Sequence, residues 1–280
     1  MGSPVRLSAN RCFNGVQYVY SHESSATNCT MKFGVYVPDH GEGEKLPALV
    51  YLSGLTCTHA NVMEKGGAQR WASHYKMIFI HPDTSPRGDD VPNDERYHLG
   101  QGAGFYVDAT QDPWKKYFRM ASYVEKELLS VASSIFPSLD STRVGITGHS
   151  MGGHGAIVLG LRFPSIFSSI SAFAPIAHPM DSQWGRLALT TYLGGEEKEW
   201  AAYDSLSLLS SYSGPSRSIL ISQGDEDEFF VSGQLKSNLL KSTGPVEVEV
   251  RVEGGFDHSY YFVNTFMEEH FKHHSAILSK

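Results

Sequence analysis

The chain has 280 residues, 41% of them hydrophobic, and a formal net charge of −7 from 23 basic and 30 acidic side chains. That is enough apolar material for a large buried core, and single α/β domains reach this length, so one domain over residues 1–280 is the simplest expectation. The acidic balance, with Lys115–Lys116 as the longest basic cluster, argues against nucleic acid as a partner but leaves room for a small anion in a cleft of different local charge.

The opening stretch MGSPVRLSANRCF contains no apolar run that could serve as a signal-peptide core, and Arg6 stands where a myristoylation motif needs Ser or Thr. VQYVYSHE (16–23) and TMKFGVYVP (30–38) alternate and are rich in Val, Tyr and Phe, which predicts an antiparallel pair at a sheet edge. PALVYLSG (47–54) and KMIFIHPD (76–83) are continuously apolar, as strands buried on both faces are. Between them NVMEKGGAQRWASHY reads as a helix interrupted by glycine. DPWKKYFRMASYVEKELLSVASSIF (112–136) predicts one long amphipathic helix, capped by Asp112 with Pro113 in its first turn. The strand RVGIT (143–147), the helix GGHGAIVLGLRF (152–163) and the strand FSSISAFAP (167–175) follow, then helical and irregular material to residue 213. The strand SILISQG (218–224), the helix SGQLKSNLLKS (232–242), the strand VEVEVRVE (246–253) and the helix SYYFVNTFMEEHFKHHSAIL (259–278) complete the chain. This alternation predicts a mostly parallel sheet with helices on both faces. No run approaches the roughly 18 apolar residues of a membrane span. Cys12, Cys29 and Cys57 are an odd, sparse set without CxxC spacing, which fits neither a disulfide framework nor a zinc site and suits the cytoplasm.

The most informative stretch is ITGHSMGGHG (146–155), where four glycines crowd around one serine between a strand and a helix. In a parallel sheet reactive groups gather at the carboxyl ends of strands, and RVGIT ends there. Gly148, His149, Ser150, Met151 and Gly152 form G-x-S-x-G, the sharp turn that holds a nucleophile in a strained conformation. The residues two before and two after the serine lie too close to neighbouring backbone to carry side chains, which accounts for Gly148 and Gly152. The following helix points its first amides toward Ser150 and favours developing negative charge.

A serine hydroxyl needs a base within reach, and the base needs an orienting carboxylate. The chain order expected on this architecture is Ser, then Asp or Glu, then His. His258 in EGGFDHSYYF follows a strand and precedes the last helix, which places it at the same sheet end. His154 is expected to pack or face solvent, and His149, adjacent to Ser150, is expected to line the pocket. His270, His273 and His274 share a helix end, where a solvated face is a simpler expectation than a metal site. For the acid, Asp225, Glu226, Asp227 and Glu228 lie just past a strand end, and periodicity does not choose among them; Asp257 is the weaker alternative. The oxyanion hole is expected from the amides of Met151 and of Leu55, in the loop VYLSGLTCT (50–58), where Gly54 allows close approach.

LSGLTCT, GAQRWAS, PDTSPRG, GAGFYVDAT, GHSMGGHGA, SAFAPI and FDHSYYF occur in this order. Together they resemble the S-formylglutathione hydrolase (esterase D) family, from about residue 10 to the C-terminus. The resemblance implies an α/β-hydrolase fold, a cytoplasmic location, often a homodimer, and hydrolysis of S-formylglutathione to glutathione and formate, a reaction for which a serine triad needs no metal or organic cofactor. It places the nucleophile on Ser150 and the histidine on His258. The family's G-x-x-D-x-F string falls on Gly224, Asp227 and Phe229, which selects Asp227 as the acid. It also sets Cys57 beside the active site. Trp184, Arg87 and Lys65 are candidates for gripping the tripeptide, with purely structural roles as the alternative. The rival expectations are a broader carboxylesterase on the same fold, a peptidase, and a non-catalytic binding protein that has kept the scaffold.

Overall fold

The structure, a computed structural model, describes residues 3–279, so the first two residues and the last of the expected 1–280 domain lie outside it. The strands are β1 (Val5–Arg11), β2 (Gly15–Ser24), β3 (Cys29–Pro38), β4 (Leu46–Leu52), β5 (Ile78–Pro82), β6 (Leu139–Gly148), β7 (Phe167–Phe173), β8 (Arg217–Gly224) and β9 (Val246–Glu253). They form one sheet in the order β1-β2-β3-β5-β4-β6-β7-β8-β9. β1, β2, β3 and β5 pair antiparallel in turn; from β5 through β4 to β9 every pairing is parallel. This is the expected α/β-hydrolase arrangement with its antiparallel N-terminal edge. All residues of β4 and β5 are buried, as their unbroken apolar sequences require.

The helices are α1 (His59–Lys65), α2 (Ala68–His74), α3 (Met120–Ser122), α4 (Leu129–Ile135), α5 (Met151–Arg162), α6 (Gln183–Leu193), α7 (Glu197–Trp200), α8 (Ser205–Ser211), α9 (Glu228–Val231) and α10 (Tyr260–Leu278). Strand alternation assigns α5 and α10 to opposite faces. A side chain on Gly145 would strike His274 of α10, whereas the next residue, Ile146, and Ile170 of β7 stand against Gly160 of α5. No helix among the described residues is long and apolar enough to cross a membrane.

Four elements differ from the sequence reading. β1 was not foreseen; VRLSANR alternates Val5, Leu7 and Ala9 with polar residues, but it is almost wholly exposed, and it pairs with β2 at the edge of the sheet. Residues 112–136 are not one helix. A 3-10 turn at Trp114–Lys116 precedes α3, and a π-helical stretch, Tyr123–Leu128, joins α3 to α4. Asp112 caps nothing there and pairs with Lys115. The helix expected over 232–242 is absent: α9 ends at Val231, and only a 3-10 turn, Ser237–Leu239, falls in that segment, where Leu235, Ser237 and Leu240 turn inward at spacings no single helix face provides. The C-terminal histidines are not a solvated face. His270 and His274 are fully buried, and both bond to Ser171 Oγ at 2.8 Å. Ser171 in turn donates to Thr147 Oγ1 at 2.8 Å. His273 is partly buried and reaches the Ile170 carbonyl at 3.0 Å.

Candidate active site

The turn between β6 and α5 is pinned from both sides. His149 N–H donates to the Leu52 carbonyl of β4 at 3.0 Å, and Ser150 N–H donates to the Phe173 carbonyl of β7 at 2.9 Å. Ser150 is thereby held at φ 60° and ψ −119°, a region that non-glycine residues rarely occupy. The flanking glycines are obligatory for steric reasons. A Cβ on Gly152 would sit 1.9 Å from the Leu52 carbonyl oxygen, and one on Gly148 would sit 2.3 Å from that of Gly152. α5 begins immediately after Ser150, so its first amides point at the serine.

The loop after β4 closes over the same spot. A Cβ on Gly54 would lie 3.1 Å from that of Ser150, so the absence of a side chain there lets the loop backbone approach. Tyr106 Oη donates to the Ser53 carbonyl at 2.9 Å and Thr56 N–H to the Gly102 carbonyl at 2.9 Å, which fix the loop. Among the described residues neither the Leu55 nor the Met151 N–H is spent on a hydrogen bond within the protein. Two amides beside Ser150 are therefore available to an oxyanion.

Of the four acids after β8, Asp227 alone turns fully inward. Its Oδ2 bonds to His258 Nδ1 at 2.5 Å and accepts from Gln223 Nε2 at 3.2 Å. Its Oδ1 accepts from the Phe229 and Phe230 amides at 2.9 and 3.2 Å, so the carboxylate also caps α9. Gln223 is itself fixed by Ser237, whose Oγ donates to Oε1 at 2.8 Å. Neither Gln223 nor Ser237 was singled out from the sequence; an amide directly before the G-x-x-D string was the only available signal. Asp225 instead accepts from the Gly255 amide at 2.7 Å, and Asp257 accepts from the Ser259 amide at 2.9 Å.

Ser150 and His258 line one cavity of about 320 Å³. Among the described residues no hydrogen bond joins Ser150 Oγ to the imidazole, an arrangement common in unliganded sites. Phe229 meets the His258 ring edge-on at 4.8 Å, and Trp184 meets Phe229 at 5.0 Å. With Tyr97 these rings make an apolar wall. On the other side His149 lies against His258, the ring centroids 4.4 Å apart. Burial, and secondarily the neighbouring His258, push the His149 pKa well below its ordinary value, so this ring is neutral. Its Nε2 has no partner within the protein.

The remaining candidates divide cleanly. Cys57 lines the cavity, half-buried, and burial raises its thiol pKa; Tyr260 Oη stands 4.0 Å from its sulfur. Arg87 does not face the cavity; it pairs with Asp83 at 3.0 Å and donates to the Cys57 carbonyl at 3.0 Å, which makes it a support of the loop. His154 is wholly buried, its Nε2 3.1 Å from the Phe105 carbonyl, and burial lowers its pKa to about 4. His178 pairs with Asp204 at 2.7 Å and does not line the cavity. Among the described residues no group of three or more His, Cys, Asp or Glu side chains is arranged to hold a metal ion.

A serine on a strained strand-to-helix turn, on a mostly parallel sheet, defines the class of α/β-hydrolase esterases. Consistent with this, a family model described as "Putative esterase" matches residues 24–273. The S-formylglutathione hydrolase of Paracoccus denitrificans is 48% identical over 275 residues, 97% of each chain, and that of Rattus norvegicus is 46% identical over 278 residues, 98% of each. The solved structure of an S-formylglutathione hydrolase from Agrobacterium tumefaciens superposes with a TM-score of 0.91 at 44% identity, over 98% of this chain and 99% of that one. The chain belongs to the S-formylglutathione hydrolase family of esterases.

Proposed function

We propose that the chain hydrolyses the thioester S-formylglutathione to glutathione and formate, with Ser150, His258 and Asp227 as its catalytic triad. The observation that carries the reaction class is that His258, bonded to the buried Asp227, lines the same cavity as the strained Ser150. The substrate reading rests on the relatives of that name. Ser150 Oγ attacks the formyl carbon as His258 Nε2 takes its proton. Asp227 holds Nδ1–H and stabilises the imidazolium. The tetrahedral oxyanion sits on the Leu55 and Met151 amides, each such donor being worth about 3 kcal/mol in the transition state. The C–S bond breaks, the thiolate leaves with the proton from His258, and Ser150 keeps the formyl group as an ester. Water, deprotonated by His258, then attacks that ester and releases formate, restoring the serine. The residues present carry every proton transfer. The homodimer and cytoplasmic location implied by the family belong to the same proposal; light scattering tests the dimer, with an expected mass twice the 30.9 kDa of the chain.

The aromatic wall of Tyr97, Trp184 and Phe229 favours a second reading, a carboxylesterase for bulkier esters. Comparing kcat/KM for S-formylglutathione with that for a long-chain aryl ester separates the two. The thioester is expected to lead by about tenfold or more, since a misfit acyl chain costs that much in a cramped pocket. A preference for the long-chain ester would favour the second reading.

A further inference from the structure

Next to the catalytic cavity lies a second concavity, lined by Lys65, Ser259, Tyr260, Tyr261 and Asn264. The two share Ser259 and Tyr260, so they are continuous across the start of α10. Both carry aromatic rings, an amide and hydroxyls, but only the second is lined by a cationic side chain, Lys65. Lys65 ends α1. Its backbone carbonyl accepts from Asn264 Nδ2 at 3.1 Å, which fixes the helix end against α10. Its ammonium enters no ion pair among the described residues, whereas Arg87, Arg186 and Lys236 each do. Its charge is felt at Cys57, on the catalytic cavity wall, where it works against the burial that raises the thiol pKa. Tyr261, 86% exposed, lines the same groove.

The substrate proposed above is an anionic peptide thioester, and the protein as a whole carries −7. Long-range repulsion therefore has to be offset locally, by a cation not already neutralised. We infer that the Lys65–Tyr261–Asn264 groove is the leaving-thiol subsite, and that Lys65 pairs with a carboxylate of the departing peptide. The inference rests on the thioesterase reading for its ligand but assigns a site that the triad does not require. In the reaction the acyl group stays on Ser150 while the thiol is drawn out past Ser259 and Tyr260. An exposed ion pair is worth up to about 1 kcal/mol, or about fivefold, so Lys65 acts as a selector of charged leaving groups rather than as a catalytic residue.

The test uses S-methylglutathione as a competitive inhibitor of the hydrolysis of a small neutral aryl ester, in the wild type and in Lys65→Ala, Lys65→Glu and Lys65→Arg. S-formylglutathione kinetics run in parallel. The expected result is a Ki raised about fivefold in Lys65→Ala, further in Lys65→Glu and restored in Lys65→Arg, with the wild-type Ki rising with salt. The ratio of kcat/KM for S-formylglutathione to that for the neutral ester falls in step, through KM. An inhibitor constant that is unchanged in Lys65→Glu overturns the subsite. If the wild type binds S-methylglutathione through Lys65 yet does not turn over S-formylglutathione, the subsite stands and the substrate reading falls.

Discussion

Ser150 is strained because two backbone hydrogen bonds pin its turn from both sides, and the turn fits only because its flanking positions are glycine. Gly152→Ala would force a Cβ to 1.9 Å from the Leu52 oxygen, so the turn must open or the chain must fail to fold. A drop of several degrees in Tm together with loss of esterase activity is expected; an active variant of wild-type Tm would contradict the steric account. Asp227→Asn keeps the cap of α9 but withdraws the acceptor that fixes the His258 tautomer, and kcat should fall about 10⁴-fold while the circular dichroism spectrum stays native. Gln223→Ala removes a donor to Asp227 and the partner of Ser237, and a loss of about tenfold in kcat is expected with KM little changed. At this scale Gly148, Gly152 and Gly54 were legible because each belongs to a local motif, and Ser150 and His258 because the motif and the chain order point to strand ends that the fold brings to one cavity. Asp227 was not separable from its three acidic neighbours by pattern alone. What separates them is burial, and that is a property of the folded loop. Gln223 and Ser237 were invisible for the same reason.

α10 shows what an element can hide. Its His270 and His274 look like a polar helix end in sequence, but the partner that makes them core residues is Ser171, on a strand a hundred positions earlier. His270 also stacks on Phe173 at 3.6 Å, and the Phe173 carbonyl holds Ser150 N–H. The C-terminal helix thus packs against the strand residue that holds Ser150. Burial drives the pKa values of both rings well below the ordinary histidine value. Below pH about 6.5 the unfolded chain binds protons that the folded chain does not, so stability falls as pH falls, by about 1.4 kcal/mol per pH unit for each such ring. His81 and His154, lowered to about 3 and about 4, add to the slope in the same direction. Urea unfolding between pH 6.5 and 5 should show this decline, and His274→Gln should make it shallower by one proton equivalent. A flat profile in that window would mean the rings are protonated in the fold. The strands buried on both faces were readable from composition, whereas β1 and the interruptions at Trp114–Lys116 and Tyr123–Leu128 were not. β1 carries only a short Val5–Leu7–Ala9 alternation that is not buried, and the two interruptions follow from tertiary packing, which leaves no periodic trace.

For the whole molecule, the alternation of apolar strands with amphipathic helices was sufficient to anticipate the sheet order's parallel character and its antiparallel edge. One sheet runs from β1 to β9. We propose that the chain unfolds as one domain, and urea transitions followed by tryptophan fluorescence and by far-UV circular dichroism should coincide. Separate transitions would divide it. The central claim is that one hydroxyl, held by the turn after β6 and served by an imidazole from the loop before α10, does the chemistry. A fluorophosphonate probe followed by peptide mass mapping tests this most directly. The account predicts a single adduct on Ser150, much slower to form in His258→Ala and absent in Ser150→Ala; an adduct on any other residue, or undiminished labelling of Ser150→Ala, would contradict it.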